Sequence, residues 1–450
     1  MNFDGIFNRN ERRIDMNMKN RSVCRDESYS VIVKREKCSK ADCGQEELPH
    51  NEMRHKSMDF RIIFNNYYDN LKKHETWINC MRRWLNAAFL GVPLLWTGIA
   101  FGSDSIVVGQ SLNMGPNSDG GGLRIQSAVK GYIESVNAAG GVRGKNIELI
   151  SMNDDGDLKK HAENLKEMVT RRGAVALLNC ENEVVCHVTA ETADQLKVPL
   201  IGPMSGSKTL GRSATPWVFQ IRPQYEREAE VMVHQLKSMA CFRIALVTDS
   251  VESEQVAAIK SVFARAGVDL IILPLSTNDK NAGSALLNSL EKGGYHAAVL
   301  VLSLISSEWL IDQNLTIQHV WPRTIAAPTN NHLQTLLNGF KNRAFGFTYV
   351  VPNPEIQSNL LVQEFQRTMD KFGAGHASTF LGMEAYINAK VLVEGLKRST
   401  DFSANDITNA LSGMQLVDFG GFRVSFASGR LSGSDWVDVG VRSRHGSLLR

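Results

Sequence analysis

From residue 104 onward, short β-branched runs alternate with longer amphipathic stretches, and that order leaves few folds open. Ile106-Val107-Val108, Ile147-Glu148-Leu149-Ile150, Val175-Ala176-Leu177-Leu178 and Pro199-Leu200-Ile201 read as strands. Between them, Leu123 to Val136 and Leu158 to Val169 place apolar residues three and four apart, the period of a helix that buries one face. The pattern restarts after Arg222. Ile244 to Val247, Leu270 to Leu273, Ala298 to Val301 and Thr324 to Ala326 are strands, and helices are expected from Glu226, Glu254, Ser284 and Leu333. Strand–helix alternation demands parallel strands covered on both faces. The expected class is α/β, with two doubly wound parallel-sheet lobes in succession.

Such sheets bind ligands at the carboxyl ends of their strands, where loops and helix N-termini gather. Here those loops are polar and often glycine-rich: Gln110 to Gly122, Asn179 to Glu183, Gly202 to Ser207, Thr248 to Ser253, Ser303 to Ser307 and Pro328 to His332. Plain connections would explain the short ones. The first is too long for that and is the best site candidate.

Residues 81 to 102 read as a secretory leader: Arg82 and Arg83, an uncharged run from Trp84 to Phe101, and small residues in Ala100-Phe101-Gly102 ahead of cleavage before Ser103. A membrane anchor is the competing reading, weakened by Asn86, Pro93 and Thr97 within the run and by the strand that follows almost at once. If synthesis starts at Met1 rather than Met81, the leader is internal and could stay uncleaved as a tether. With no cysteine at the cleavage site, a lipoprotein is not expected. Residues 1–80 show neither helical period nor strand alternation and are expected to be disordered, or upstream sequence that the working protein does not carry. Their 15 Lys+Arg and 13 Asp+Glu are too balanced for a nucleic-acid arm, and Cys38 and Cys43 lack the paired knuckle of a metal site.

The 348 residues after the leader exceed one comfortable core, which fits two lobes. Their formal charge is −1, which argues against a nucleic-acid partner. Three cysteines remain there: Cys180, Cys186 and Cys241. Spacing alone leaves open whether Cys180 and Cys186 pair.

Asn137-Ala-Ala-Gly-Gly-Val-Arg-Gly-Lys-Asn-Ile-Glu-Leu149, followed by Asn153-Asp-Asp155, resembles the signature of type I periplasmic binding proteins, the branched-chain-amino-acid-binding group that serves ABC importers. The resemblance continues through Lys197-Val-Pro-Leu-Ile-Gly-Pro203, Val218-Phe-Gln-Ile-Arg222, Leu381-Gly-Met-Glu-Ala-Tyr386 and Gly420-Gly-Phe-Arg-Val-Ser-Phe426 with Gly433-Ser-Asp435. It spans about residues 104 to 442. It implies two lobes joined by three crossovers near Ile221–Gln224, Val350–Pro354 and Phe426–Arg430, closing on a ligand between them. Lobe one would hold residues 103–221 and 352–427, and lobe two 222–351 and 428–450.

The same resemblance implies ligand residues by position. In lobe one these are Ser111 and Asn113, Asn182 and Glu183, then Met204, Ser205 and Gly206, with Tyr225 after the first crossover. In lobe two, Ser250 and Ser303 stand where the family's usual aromatics are missing, and Asn330 where some relatives have a glutamate for the ligand ammonium. A small polar solute is therefore expected rather than a leucine-type one. The resemblance further implies a periplasmic monomer without cofactor or enzyme activity, partnered by an ABC permease in the inner membrane. A membrane-tethered sensor using the same two lobes is the alternative.

Other patterns carry less. Ser205-Gly-Ser-Lys208 fits S-x-x-K, which occurs by chance in a chain this long, and no S-D-N accompanies it. Ser207 occupies a Walker A glycine position, and H-E-x-x-H and G-x-S-x-G are absent. His187 and His234 lie on helical stretches and read as surface or packing residues. Trp217, Trp309, Trp321 and Trp436 read as core. Glu181 and Glu183 flank Asn182 and suit either a cation or a solvated turn.

Overall fold

A parallel sheet and a mostly parallel one follow one another along the chain. The computed structural model describes residues 105–449 apart from 117, 212–214, 330, 331, 342, 374–376, 428, 429 and 444–447. The leader expected at 81–102, residues 1–80 and Asn330 lie outside the described residues. Among the described residues no helix is long and apolar enough to cross a membrane.

The first sheet comprises β1 (Ile106–Leu112), β2 (Ile147–Asn153), β3 (Ala176–Leu178), β4 (Leu200–Ile201) and β5 (Val218–Phe219), all parallel, in the order β2-β1-β3-β4-β5. Both faces are covered, and so β3 is apolar at every position. Ala176 and Leu178 pack toward α1 (Gly121–Ala138), α9 (Leu360–Phe372) and α10 (Phe380–Arg398), whereas Leu177 faces α2 (Leu158–Thr170) and α3 (Glu183–Leu196). Gly141 ends the first strand–helix unit because it holds φ +72° and an added Cβ would lie 2.1 Å from the Lys145 carbonyl oxygen.

The second sheet contains β6 (Arg243–Thr248), β7 (Asp269–Pro274), β8 (Ala297–Val301), β9 (Thr324–Ala327), β10 (Phe345–Tyr349), β13 (Asp438–Arg442) and β14 (Leu448–Leu449), in the order β14-β13-β10-β9-β8-β6-β7. It departs from a purely parallel expectation. β13 returns with no helix before it and pairs antiparallel with β10, and β14 then pairs antiparallel with β13. One face packs on α4 (Tyr225–Ser238) and α5 (Glu254–Arg265), the other on α6 (Ala282–Lys292), α7 (Leu304–Asp312) and α8 (Leu333–Gly339). A last helix, α11 (Ala404–Ser412), and the hairpin β11 (Val417–Asp418) and β12 (Arg423–Val424) complete the first lobe.

The chain passes between the sheets after β5, after β10 and after β12. The third passage lies on the first: Gly433 N donates to Gln220 O at 2.8 Å, Ser434 N to Ile221 O at 3.0 Å and Ser432 Oγ to Arg222 O at 2.6 Å. Beside it, Arg222 makes a two-pronged ion pair with Glu384 of α10 at 2.8 and 2.7 Å. Their side chains are only 5% and 6% exposed. Aromatic rings finish the junction. Phe380 meets Tyr349 at 4.9 Å and Phe347 at 5.8 Å between centroids, and Trp436 meets Tyr349 at 5.6 Å. Trp321 is core, whereas Trp436 touches the cores of both lobes.

Candidate functional site

The carboxyl ends of the parallel strands carry the polar loops, and helices of both lobes begin there under side-chain caps. Asn182 caps α3 by accepting from Val185 N, Ser253 caps α5 from Val256 N, and Ser303 caps α7 from Ser306 N. Capping satisfies N–H groups that a helix start would otherwise leave without partners. Part of the loop polarity is therefore structural.

In the first loop Ser111 is buried. Its hydroxyl donates to Asp154 at 3.1 Å and accepts from Asn164 Nδ2 at 3.1 Å. Asp154 faces His161 Nδ1 at 2.8 Å, and His161 Nε2 meets Thr189 Oγ1 at 2.8 Å. Burial opposes a charge on Asp154, but hydrogen bonds from His161, Gly156 and Ser111 hold its pKa below the ordinary carboxylate value. Asn113 turns its side-chain oxygen back onto Gly115 N at 3.3 Å and donates its backbone N–H to Glu181 at 2.8 Å. Burial pushes the Glu181 carboxyl up to about 7 against that N–H, with Asp154 and Asp119 adding to the rise.

A second network lies beneath the loops. Asn388 of α10 donates to Asn179 at 2.8 Å and to the Gly202 carbonyl at 3.0 Å, so it ties the ends of β3 and β4 together. A Cys180–Cys186 disulfide closes the turn that presents Glu181, Asn182 and Glu183, while Cys241 is free and buried.

In the third loop Met204 is core. Ser205 is 0% exposed, bonds Tyr225 OH at 3.0 Å and accepts from Ser207 N at 3.2 Å. Gly206 accepts from Tyr225 N at 3.0 Å, and a Cβ there would come within 2.6 Å of the Tyr225 ring. Burial, and Glu183 against it, raise the Tyr225 phenol far above its ordinary value. Ser205, Gly206, Tyr225 and Glu183 therefore form one contiguous group, as do Ser111 and Asn113 with Glu181.

In lobe two, Ser250 is exposed, and Ser303 is joined to its loop through Asp249, which accepts from Ser303 Oγ at 2.5 Å and Ser303 N at 3.0 Å. Burial lowers the His332 pKa, opposed by Leu302, Asp119 and Asp249. His332 was not anticipated from the sequence; its only signal is that it ends the Pro328 to His332 loop. Asp119 belongs to lobe one and Asp249 to lobe two, so acidic groups of both lobes act electrostatically on this imidazole.

The lobes also touch directly. Ser207 donates to Glu254 of α5 at 2.7 Å, Thr209 donates to the same carboxylate, and Lys208 pairs with Glu226 of α4 at 2.8 Å. Burial opposes the Glu254 charge, yet the Thr209 and Ser207 hydroxyls and nearby His187 keep its pKa below the ordinary value. None of these pairings is visible in local sequence, since the partners lie far apart in the chain.

The family model described as periplasmic binding protein matches residues 106–432. Solved structures share the fold. A substrate-binding periplasmic protein from Ralstonia solanacearum is 21% identical with a TM-score of 0.67, covering 77% of this chain and 99% of its own. The branched-chain amino acid transporter substrate-binding protein of Streptococcus pneumoniae, solved with isoleucine, is 15% identical with a TM-score of 0.64, covering 76% and 97%. A fatty acid ABC transporter substrate-binding protein from Thermomonospora curvata is 15% identical with a TM-score of 0.62, covering 77% and 90%. No curated protein matches the chain.

Proposed function

We propose, from the premise that the chain belongs to the type I periplasmic binding proteins, that it is an exported monomer that captures a small polar solute between its lobes and delivers it to an ABC permease in the inner membrane. The observation that carries this reading is the arrangement of polar loops at the carboxyl ends of two parallel sheets, with three chain passages between them. A cleft of that kind binds by closing, because contacts made from both lobes at once favour the closed state. Nothing in this reading requires a catalytic group or cofactor.

The solute class follows from what the loops offer. Glu183 stands in the first turn of α3, Glu181 beside it, and Asp119 and Asp249 in loops of opposite lobes. Ser250 and Asn113 add short polar side chains. Such a set suits a solute with an amine or amide, such as an amino acid or derivative, over a purely aliphatic one. Each buried polar group left unpaired in the cleft costs about 1–3 kcal/mol, which disfavours leucine-like ligands.

Isothermal calorimetry of amino acids, their amides and polyamines against the full chain tests this. We expect one polar class to bind, and Glu183→Gln to weaken it about tenfold, equal to about 1.4 kcal/mol. Tight binding of leucine, isoleucine or valine that Glu183→Gln leaves unchanged would overturn it.

A further inference from the structure

We propose that Glu183, His187 and Glu254 form a divalent-cation site of the zinc type that bridges the two lobes. Among the described residues these three place a carboxylate oxygen, an imidazole nitrogen and a second carboxylate oxygen all within 4.8 Å of one another. The sequence explains two of them together: Glu183 and His187 are four apart on α3, so they share one face of its first turns. The third arrives from the other lobe. Glu254 is the first residue of α5, and its Oε1 lies 3.9 Å from His187 Nε2.

The ligand chemistry selects the ion. One imidazole with two carboxylates suits zinc and its neighbours, and suits calcium or magnesium less, since those prefer oxygen alone. Ligands about 2.0–2.2 Å from a tetrahedral ion stand roughly 3.4 Å apart, so the observed spacing needs rotamer adjustment and displacement of the Thr209 hydroxyl, which bonds Glu254 Oε1 and lies 3.5 Å from His187 Nε2. All three side chains are partly exposed, which leaves the ion a path from solvent.

Neighbouring groups already orient the ligands. Glu183 stands beside the Tyr225 phenol, and Ser207 donates to Glu254 Oε2 at 2.7 Å, the oxygen opposite the one that faces His187. Outer partners of this kind fix ligand direction in metal sites. Without a cation, two carboxylates from different lobes would converge on one imidazole, an arrangement that a divalent charge stabilises more fully than one proton does.

Because the ligands divide between α3 and α5, the site is complete only when the lobes are together. Cation binding would then favour the closed state.

Zinc titration of the full chain by calorimetry, without solute, provides the test. Wild type should bind one zinc ion more than His187→Ala, and His187→Gln and Glu254→Gln should lose the same ion or weaken it by at least about tenfold. Zinc held elsewhere, on thiols for example, cancels in this difference. Identical zinc binding in all four proteins overturns the proposal. Solute capture is measured separately, so the two readings fail independently.

Discussion

Ser205 shows how a loop residue can belong to the scaffold as much as to a ligand site. Its buried hydroxyl bonds Tyr225 OH and Ser207 N. Ser205→Ala would leave both without that partner, so we expect a loss of about 1–2 kcal/mol in urea unfolding as well as weaker solute binding. A stability-neutral variant would show the hydroxyl to be dispensable. Glu181 gives a pH signature. Its carboxyl rises from an ordinary 4.5 to about 7, so between these values the native state binds more protons than the unfolded chain. Its contribution to stability therefore falls as pH rises through that window. Glu181→Gln should match wild type near pH 4.5 and exceed it by on the order of 2 kcal/mol at pH 8. A difference that grows toward acid would contradict the sign. Arg222 and Glu384 offer a third case. Removing either partner leaves a buried charge unpaired, at about 3–5 kcal/mol, whereas replacing both with methionine should recover most of the loss. The double-mutant cycle measures that recovery, and additive losses would contradict it.

Among the elements, the parallel strands were the most legible. β3 and β8 are buried on both faces, so every residue must be apolar and the run stands out. β10 was harder to read because Gly346 interrupts an aromatic run, and β13 because it begins on Asp438 and is half-exposed. The loops carry two meanings at once. Asn, Ser and Asp cap helices and also bind polar solutes, and the side-chain oxygens of Asn182 and Ser303 cap α3 and α7. The disulfide was legible only as an option, since pairing depends on the turn at Glu181 and not on spacing. That turn yields a prediction. Closing so short a loop restricts the unfolded chain by about 2 kcal/mol in the loop-entropy account. Cys180→Ser/Cys186→Ser should lose about that much in denaturant unfolding and loosen the Glu181–Glu183 turn, seen as faster amide exchange there. An unchanged unfolding midpoint would show the bridge to be inert.

At the scale of the whole molecule, the junction and the cleft edge use different kinds of contact. The junction is specific and largely buried, built from Arg222–Glu384, the backbone pairing of 432–434 with 220–222, and the rings around Phe380. The cleft edge is more open: Thr209 and Lys208 reach Glu254 and Glu226 from exposed positions, and only Ser207, which also bonds Glu254, is buried. If the lobes open and close as proposed, a solute need supply only modest differential affinity to close them. Ser207→Ala/Thr209→Val tests this with chelator present, so that the proposed cation site stays silent. Removing both hydroxyl contacts should lower the closed fraction of the empty protein, and solute affinity should fall by the same fraction, about 3–10-fold, although neither side chain needs to touch the solute. Small-angle scattering should show a more open empty protein that still reaches the wild-type profile at saturation. If affinity falls while the empty profile stays that of the wild type, the hydroxyls act on the solute directly and the edge does not govern closure.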